Sequence, residues 1–364
     1  MSGATVLLIE EGWHSTMMLA SALEQAGYAV TVLTANGANA RTRHRTVEWL
    51  SGPTIDSDDL LPHLDLLAAR FDHILPLTEP AMLRLAAAEP AWHARIFPQL
   101  DAEHRRLLAN KHVLVETMAE RGIAIPHHLR ITPELDLAAI ALPTVIKGST
   151  GCAGKLVRIS ETRAQLAAAL DRARTLGGEW IAQELIASPT FLFGGVFRAG
   201  EPLRVYAGEK LEQHPPRTGG AIRLRSRHDP ALLDIGIRVM RALRWTGFAS
   251  ADFVRDARGY LLLEVNPRMW GSLAAARSAG VDLFSAFVDL LAGAAPAPDL
   301  AFADGDDCLI FPRYLNSPHH RNAAGVKQAL RDLRGFQGDD WRNPGFVVHT
   351  LRRLYWLKRL GVRL

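Results

Sequence analysis

Four residues near position 260 have the types and the spacing to hold a metal ion beside an anion: Asp252, Glu264, Asn266 and Arg268. They belong to GFASADFVRDARGYLLLEVNPRMWGS, Gly247 to Ser272, which reads as a strand, a tight turn and a second strand ending in a polar cluster. Asp256-Ala257-Arg258-Gly259 supplies the turn, with Gly259 free to take a positive φ. Tyr260 to Val265 is a near-continuous apolar run of the kind a buried strand needs, and Glu264 interrupts it. Because strand side chains alternate, Glu264 and Asn266 share one face while Leu263 and Val265 take the other. Folding the hairpin back brings Asp252 to within about one residue of Glu264, a bulge being able to shift that register. Two carboxylates and a carboxamide oxygen make an all-oxygen set suited to a hard cation such as Mg²⁺. Arg268 follows two residues later, placed to hold an anion beside the metal. The competing reading is a buried Glu264 paired with Arg268 for structural reasons alone, since a buried charge is costly unless it is paired or metal-bound.

A second group gathers cations and glycines. Lys147 ends the strand Thr144 to Lys147 and leads into Gly148-Ser149-Thr150-Gly151-Cys152-Ala153-Gly154-Lys155, after which Leu156 to Ile159 reads as a strand. A strand, Gly-rich loop and strand form a flap whose backbone N–H groups can close over phosphates, although glycines in a hairpin loop also serve as plain turn residues. The loop is not a P-loop, because it lacks the GKS/T ending and the following helix. Lys147 strengthens the phosphate reading by supplying a point charge. Further on, Pro215 to Gly220 (PPRTGG) is a polar loop carrying Arg217, fit either to cover a site or to serve as a surface connection. Thr78-Glu79 follows a strand at the place where α/β sheets bind ligands, and fits a helix cap equally well.

The positioning elements follow from pattern. Ala4 to Glu10 is a buried strand, His14 to Gln25 a helix closed by Gly27, and Tyr28 to Leu33 the next strand. This β-α-β opening predicts a parallel, doubly wound sheet. Its loop EEGWHS is not GxGxxG, so no dinucleotide site is expected there. Leu60 to Ala69 reads as a helix, Phe71 to Leu77 as a strand, and Pro80 to Ala88 as a helix. Asn110-Lys111 opens a helix to about Arg121, ended by Gly122 and Pro126. Glu161 to Thr175 is a helix, Glu179 to Ile186 a strand, then come strands Phe191 to Phe197 and Arg204 to Lys210 and a helix Pro230 to Leu243.

At 364 residues, 48% hydrophobic and 22% charged, the chain has ordinary globular composition with room for two or three cores. The only cysteines, Cys152 and Cys308, form no CxxC pair. A disulfide framework and a Cys-based zinc site are therefore not expected, and a reducing cytoplasm is. Met1 to Glu10 lacks the basic region of a signal peptide, and no run is long enough to span a membrane. Net charge is +4, but residues 341–364 hold six Lys and Arg and no acid, which leaves −2 for the rest. The basic balance belongs to the tail, so no nucleic-acid partner is expected. None of the 14 His marks a nucleophilic triad, and in His319-His320 the neighbouring side chains point apart.

Taken together, Lys111, Lys147, the GSTGCAGK flap, the QEL strand and LLLEVNPRMWGS resemble the ATP-grasp superfamily, in particular its carboxylate–amine ligases, over roughly residues 4 to 295. The resemblance implies a fold that is α/β and α+β: an N-terminal doubly wound parallel-sheet domain (1–109), a small lid with the Gly-rich flap (110–183) and a larger metal-binding domain (184–298). A C-terminal extension (299–364) follows. It also implies that Lys111, Lys147 and the loop Gly148, Ser149, Thr150, Gly151, Gly154 and Lys155 contact ATP phosphates, with Lys210 near the nucleotide. Gln183, Glu184, Leu185 and Ile186 would form the hinge that reads adenine, through backbone at Glu184 and Leu185. Asp252, Glu264 and Asn266 would hold one or two Mg²⁺ ions, with Mn²⁺ a substitute. Arg268 would hold the transferred phosphoryl group, assisted by Lys147, and Arg217, Gly219 and Gly220 would approach the substrate carboxylate; Glu79, Trp270 and Gly271 complete the expected substrate site. One departure stands out, because Thr190 occupies the place where the family commonly has a ribose-binding Glu.

The implied reaction joins a carboxylate to an amine through an acyl phosphate, releasing ADP and phosphate, with amino acids or small peptides as substrates. Two other readings stay open at this level: carbamate, bicarbonate or phosphorylation chemistry on the same fold, and an ATP-binding scaffold docked through the tail. Residues 345–360 pattern as a basic amphipathic helix, which can sit on an anionic membrane, on a partner protein or on its own domain. The resemblance is compatible with a homodimer.

Overall fold

The computed structural model describes residues 3–10, 14–35, 47–150, 156–294 and 296–310. The tail 345–360, His319-His320, Cys152 and the flap residues Gly151, Gly154 and Lys155 lie outside them.

The chain opens with strand β1 (Thr5–Glu10), helix α1 (His14–Gln25), strands β2 (Ala29–Thr34) and β3 (Glu48–Ser51), helix α2 (Leu60–Leu67), strand β4 (His73–Pro76) and helix α3 (Glu79–Ala88). The four strands form the expected parallel sheet in the order β3-β2-β1-β4. Val6, Leu7, Leu8 and Ile9 are all buried, as a strand covered on both faces requires. Thr78 caps α3, its hydroxyl accepting from the Ala81 N–H. That element arrangement puts Glu10, Thr78 and Glu79 at the C-terminal edge of the sheet.

Helices α4 (Ala102–Ala109) and α5 (Lys111–Glu120) follow, capped by Asp101 and Asn110. Next come β5 (His128–Arg130), β6 (Thr144–Gly148), β7 (Val157–Ser160), helix α6 (Arg163–Leu176) and β8 (Trp180–Glu184). These strands form an antiparallel sheet in the order β5-β8-β6-β7. Helix α6 begins with a full capping box between Thr162 and Gln165 and packs Leu166 and Leu170 onto Ile146, Trp180 and Ala182. Helix α5 packs elsewhere. Its Leu114 and Met118 enter the core of the next sheet.

That sheet has six strands in the order β13-β12-β9-β10-β11-β14. They are β9 (Thr190–Arg198), β10 (Glu201–His214), β11 (Gly220–Ser226), β12 (Gly247–Asp256), β13 (Gly259–Asn266) and β14 (Asp307–Leu309). Helix α7 (Pro230–Leu243) lies between β11 and β12, and α8 (Ala274–Ser278) and α9 (Leu283–Leu291) precede β14. The sheet therefore runs on to Leu309, past the boundary at 298 expected from the sequence. Alternation along its strands divides the faces: Phe193, Phe197, Ala249, Ala251 and Phe253 meet α5 and α7, whereas Leu192, Val196 and Phe248 meet the opposite core with α9.

The contact between α7 and β9 is tight enough to test. A Cβ on Gly236 would lie 2.3 Å from Cγ of Phe193, a side chain with no exposed surface. Alanine is the better helix former by about 1 kcal/mol, but forcing a methyl against a ring root costs about 1–3 kcal/mol. Gly236→Ala should therefore lower unfolding free energy by up to about 2 kcal/mol in urea denaturation, and a stabilised variant would contradict this packing.

Candidate active site

The face of β12 and β13 that avoids the α7 core carries the polar residues. Asp252 lies directly opposite Glu264, and Ser250 opposite Asn266, so the expected juxtaposition of Asp252 and Glu264 holds in register. Immediately after that pair the register shifts, from Asp252–Glu264 to Phe253–Leu262, leaving Leu263 as the extra residue of a bulge. Its carbonyl accepts from Lys147 Nζ at 2.7 Å, a contact that ties β6 of the four-stranded sheet to the β12–β13 hairpin. Nothing in the sequence pattern pointed to that carbonyl.

Two carboxylates on one face repel each other, and cations from separate elements surround them. Lys210, on β10, bonds Asp252. Their side chains are only 6% and 14% exposed. Lys111, the first residue of α5, places Nζ 3.4 Å from Glu264 Oε2 and 3.5 Å from Asn266 Oδ1. Asn266 Nδ2 in turn donates to Glu264 Oε1 at 3.0 Å. The two acids respond differently. Burial drives Asp252 above the ordinary carboxylate range, with Lys210 opposing and the Glu264 charge adding to the rise. Burial also pushes Glu264 up, but Lys111, Lys147 and the Asn266 amide outweigh it and hold the acid well below its usual range. Burial lowers Lys147, against the pull of Glu264. His112, buried beside Lys147 with neither ring nitrogen bonded, is lowered to about 4 by burial and then by that lysine, so it is neutral at physiological pH.

Arg268 is 7% exposed and fully engaged. Its Nε donates to Glu79 Oε2 at 2.6 Å, Nη1 to the Met269 carbonyl at 2.9 Å and Nη2 to Asn266 Oδ1 at 3.3 Å. Glu79 thus reaches the site through Arg268, from the N-terminal sheet. Trp270 lies against Gly194, where a Cβ would come within 2.8 Å of the indole ring. A glycine in β9 is what lets that ring approach the strand.

Of these residues Lys147, Lys210, Asp252, Glu264, Asn266, Arg268 and Trp270 line a cavity of about 460 Å³ between the two antiparallel sheets, within the range of small-molecule sites. Val145 and Lys147 on β6 face it, as do Val157 and Ile159 on β7; Leu185, Ile186 and Val254 complete an apolar end, while Leu192, opposite Asp252, and Leu263, whose carbonyl meets Lys147, lie beside the charges. Lys147, Lys210, Asp252, Glu264, Asn266 and Arg268 form a charged end, and Thr190, Trp270 and Gly271 also contribute. Gln183 and Glu184 line the wall where β8 ends. The Glu184 N–H is already bonded to the His127 carbonyl. Arg217, Gly219 and Gly220 bring the β10–β11 loop to the rim. Arg217 takes a left-handed φ of 65° and reaches Glu161 Oε1 of the lid at 3.3 Å. Gly148, Ser149 and Thr150 are not among the described lining residues.

The donor set fits a hard divalent cation. Asp252, Glu264 and Asn266 offer oxygen only, on one face and in adjacent register positions. Among the described residues there is no rival cluster of three or more His, Cys, Asp or Glu.

Breaking the Lys210–Asp252 pair from one side leaves a buried, uncompensated charge. Lys210→Met should cost about 3 kcal/mol in metal-free buffer, and Lys210→Met with Asp252→Asn should recover most of it. Denaturation of the two variants checks this, and a single variant as stable as the parent would show the pair to be inert.

Comparison with known proteins agrees with this architecture. Residues 108–272 match the family model described as the ATP-grasp domain. Among solved structures, an L-amino acid ligase from Bacillus licheniformis superposes with a TM-score of 0.64 at 18% identity, covering 80% of this chain and 75% of that one. An N5-carboxyaminoimidazole synthetase from Staphylococcus aureus, complexed with ADP, gives 0.67 at 17% identity over 85% and 80%. The biotin carboxylase domain of a 2-oxoglutarate carboxylase from Hydrogenobacter thermophilus, in complex with MgADP, gives 0.65 at 17% identity over 84% and 74%. At such identities the likeness speaks for the fold. The chain is built on the ATP-grasp fold, and residues 108–272 are the part that matches the ATP-grasp domain model.

Proposed function

We propose that the protein is an ATP-dependent carboxylate–amine ligase acting on amino acids or small peptides. The observation that carries this reading is the facing pair Asp252 and Glu264, with Asn266, Lys147 and Lys210, at the charged end of one cavity in an ATP-grasp fold, Lys111 being bonded to Glu264. Adenine would occupy the apolar end, against Gln183, Glu184, Leu185 and Ile186, with its triphosphate directed towards Lys111, Lys147 and Lys210. Mg²⁺ held by Asp252, Glu264 and Asn266 would supply charge neutralisation on the β- and γ-phosphates. Arg217, Gly219, Gly220, Trp270 and Gly271 would surround the carboxylate substrate, and residues 1–109 would close the site from the side of Glu79.

A carboxylate is a poor electrophile. Attack of its oxygen on the γ-phosphorus, with ADP leaving, gives an acyl phosphate. An amine nitrogen then attacks the acyl carbon, phosphate leaves, and the amine proton passes to solvent. Phosphoryl transfer needs positioning and charge neutralisation more than a protein nucleophile. Arg268, fixed by Glu79 and Asn266, stands where it would hold both the transferred phosphoryl group and the acyl oxygen. The lysines would bind phosphate as point charges.

A second reading has a specific support: the carboxyaminoimidazole synthetase and biotin carboxylase structures superpose as well as the amino acid ligase does. Bicarbonate would then be the activated carboxylate. Products separate the two. With Mg²⁺-ATP and a panel of amino acids in pairs, the ligase reading expects ADP release together with an amide mass. Glu264→Gln should reduce that turnover by at least about a hundredfold. ADP release that depends on bicarbonate, without an amide product, would replace the ligase with the carboxylase reading; ATP binding with no turnover under either regime would leave a scaffold.

A further inference from the structure

The two lysines nearest Glu264 come from separate packing units. Lys111 starts α5, whose Leu114 and Met118 belong to the core of the six-stranded sheet, whereas Lys147 lies on β6 of the four-stranded sheet. A polar network outside the cavity joins these units, and it centres on Glu179, the residue before β8.

Glu179 Oε2 accepts from Asn110 Nδ2 and from Arg130 Nη1, each at 3.0 Å. Asn110 is the cap of α5, its Oδ1 accepting from the His112 and Val113 N–H groups at 2.9 and 3.3 Å. Arg130 continues the network to Glu116 of α5, which also meets His128 Nε2 at 3.0 Å. The main chain repeats the connection. The Glu179 carbonyl accepts from Ser149 N–H at 2.9 Å, and the Ser149 carbonyl accepts from Lys111 N–H at 3.0 Å. Glu179 therefore grips Asn110 with its side chain and Ser149 with its backbone. One residue beyond Asn110 is Lys111, and two before Ser149 is Lys147.

As a source of stability this network is weak: the side chains of Glu179 and Arg130 are 56% and 45% exposed, and such pairs contribute little. As a spacer it is well placed, because a shift of about 1 Å in a charged group at a phosphate site is felt strongly. We propose that Glu179 is a positioning residue, whose carboxylate, held by Asn110 and Arg130, sets the start of α5 against the end of β6 and so fixes the spacing of Lys111 and Lys147. This rests on the reading of the cavity as an ATP site.

The test uses the full chain and calorimetric titration with two probes, a non-hydrolysable ATP analogue with Mg²⁺ and adenosine alone. Glu179→Ala should weaken the triphosphate analogue about fivefold and leave adenosine unchanged. Glu179→Gln, which keeps an acceptor for Asn110 and Arg130, should recover most of the loss. Arg130→Gln, an independent variant on the same network, should move in the same direction as Glu179→Ala. Equal loss of both probes would mark a general structural effect and overturn the proposal, as would analogue binding at parental strength in Glu179→Ala. A parent protein that binds neither probe would instead defeat the ATP reading, and the positioning role with it.

Discussion

Two carboxylates, Asp252 and Glu264, face each other directly across one antiparallel strand pair. Like charges at opposed positions destabilise a sheet, and burial adds to the cost. The local hairpin cannot meet that demand, since its cations turn elsewhere: Arg255 to Asp229, Arg258 to Asp256 and Glu184, and the following Arg268 to Glu79 and Asn266. Compensation comes instead from Lys210 on β10, Lys111 on α5 and Lys147 on β6. Each of those elements is placed by a different packing event: β10 by pairing with β9, α5 by burial of Leu114 and Met118, and β6 by the four-stranded sheet. The charge pair is thus tolerable only in the assembled molecule, where three independent parts converge on one face.

The bulge at Leu263 shows how the hairpin and the lid are joined without a further side chain. β13 is an edge strand, where alternate carbonyls face away from the ladder, and the extra residue disrupts the pairing locally. Lys147 uses the carbonyl at that point. The same alternation that sends Phe193 and Phe253 into the α7 core sends Leu192, Ser250, Asp252 and Val254 towards the cavity. Gly194 serves the cavity side, where the Trp270 ring occupies the space a side chain would need.

Much of this was legible from local pattern. The hairpin, the face shared by Glu264 and Asn266, the parallel opening sheet and the β6–β7 pair follow from alternation, apolar runs and turn residues. Other features were not. Strand β14 carries only Asp307 to Leu309, too short for a period to register, yet it completes the edge of the large sheet. Helix α5 follows the expected boundary at 110 in sequence but packs with the large sheet, because its apolar face matches α7 and β13 and not the lid core. Thr78 and Glu79 fitted a cap or a ligand site equally; Thr78 caps, while Glu79 anchors Arg268 across 189 positions of chain. Contacts at such separations leave no trace in local periodicity.

The cavity has a gradient that no single segment encodes. One end is walled by Val145, Val157, Ile159, Ile186 and Val254, and the other by Lys147, Lys210, Asp252, Glu264 and Arg268, with Lys111 bonded to Glu264. A flat, weakly polar group is favoured at the first end, where it replaces water on apolar surface. A polyanion is favoured at the second, where Lys147, Lys210 and Arg268 outnumber Asp252 and Glu264 and the oxygens suit a divalent cation. The rim is different again. Arg217 is held in a left-handed conformation by a tight loop in which Gly219 N–H bonds the Pro215 carbonyl, and it faces Glu161 from the opposite sheet. Backbone strain of that kind persists where surrounding structure over-determines it. The apolar end is set by regular strands and is therefore readable from their alternation. The rim is set by loops from both sheets, and no periodicity in either loop announces it.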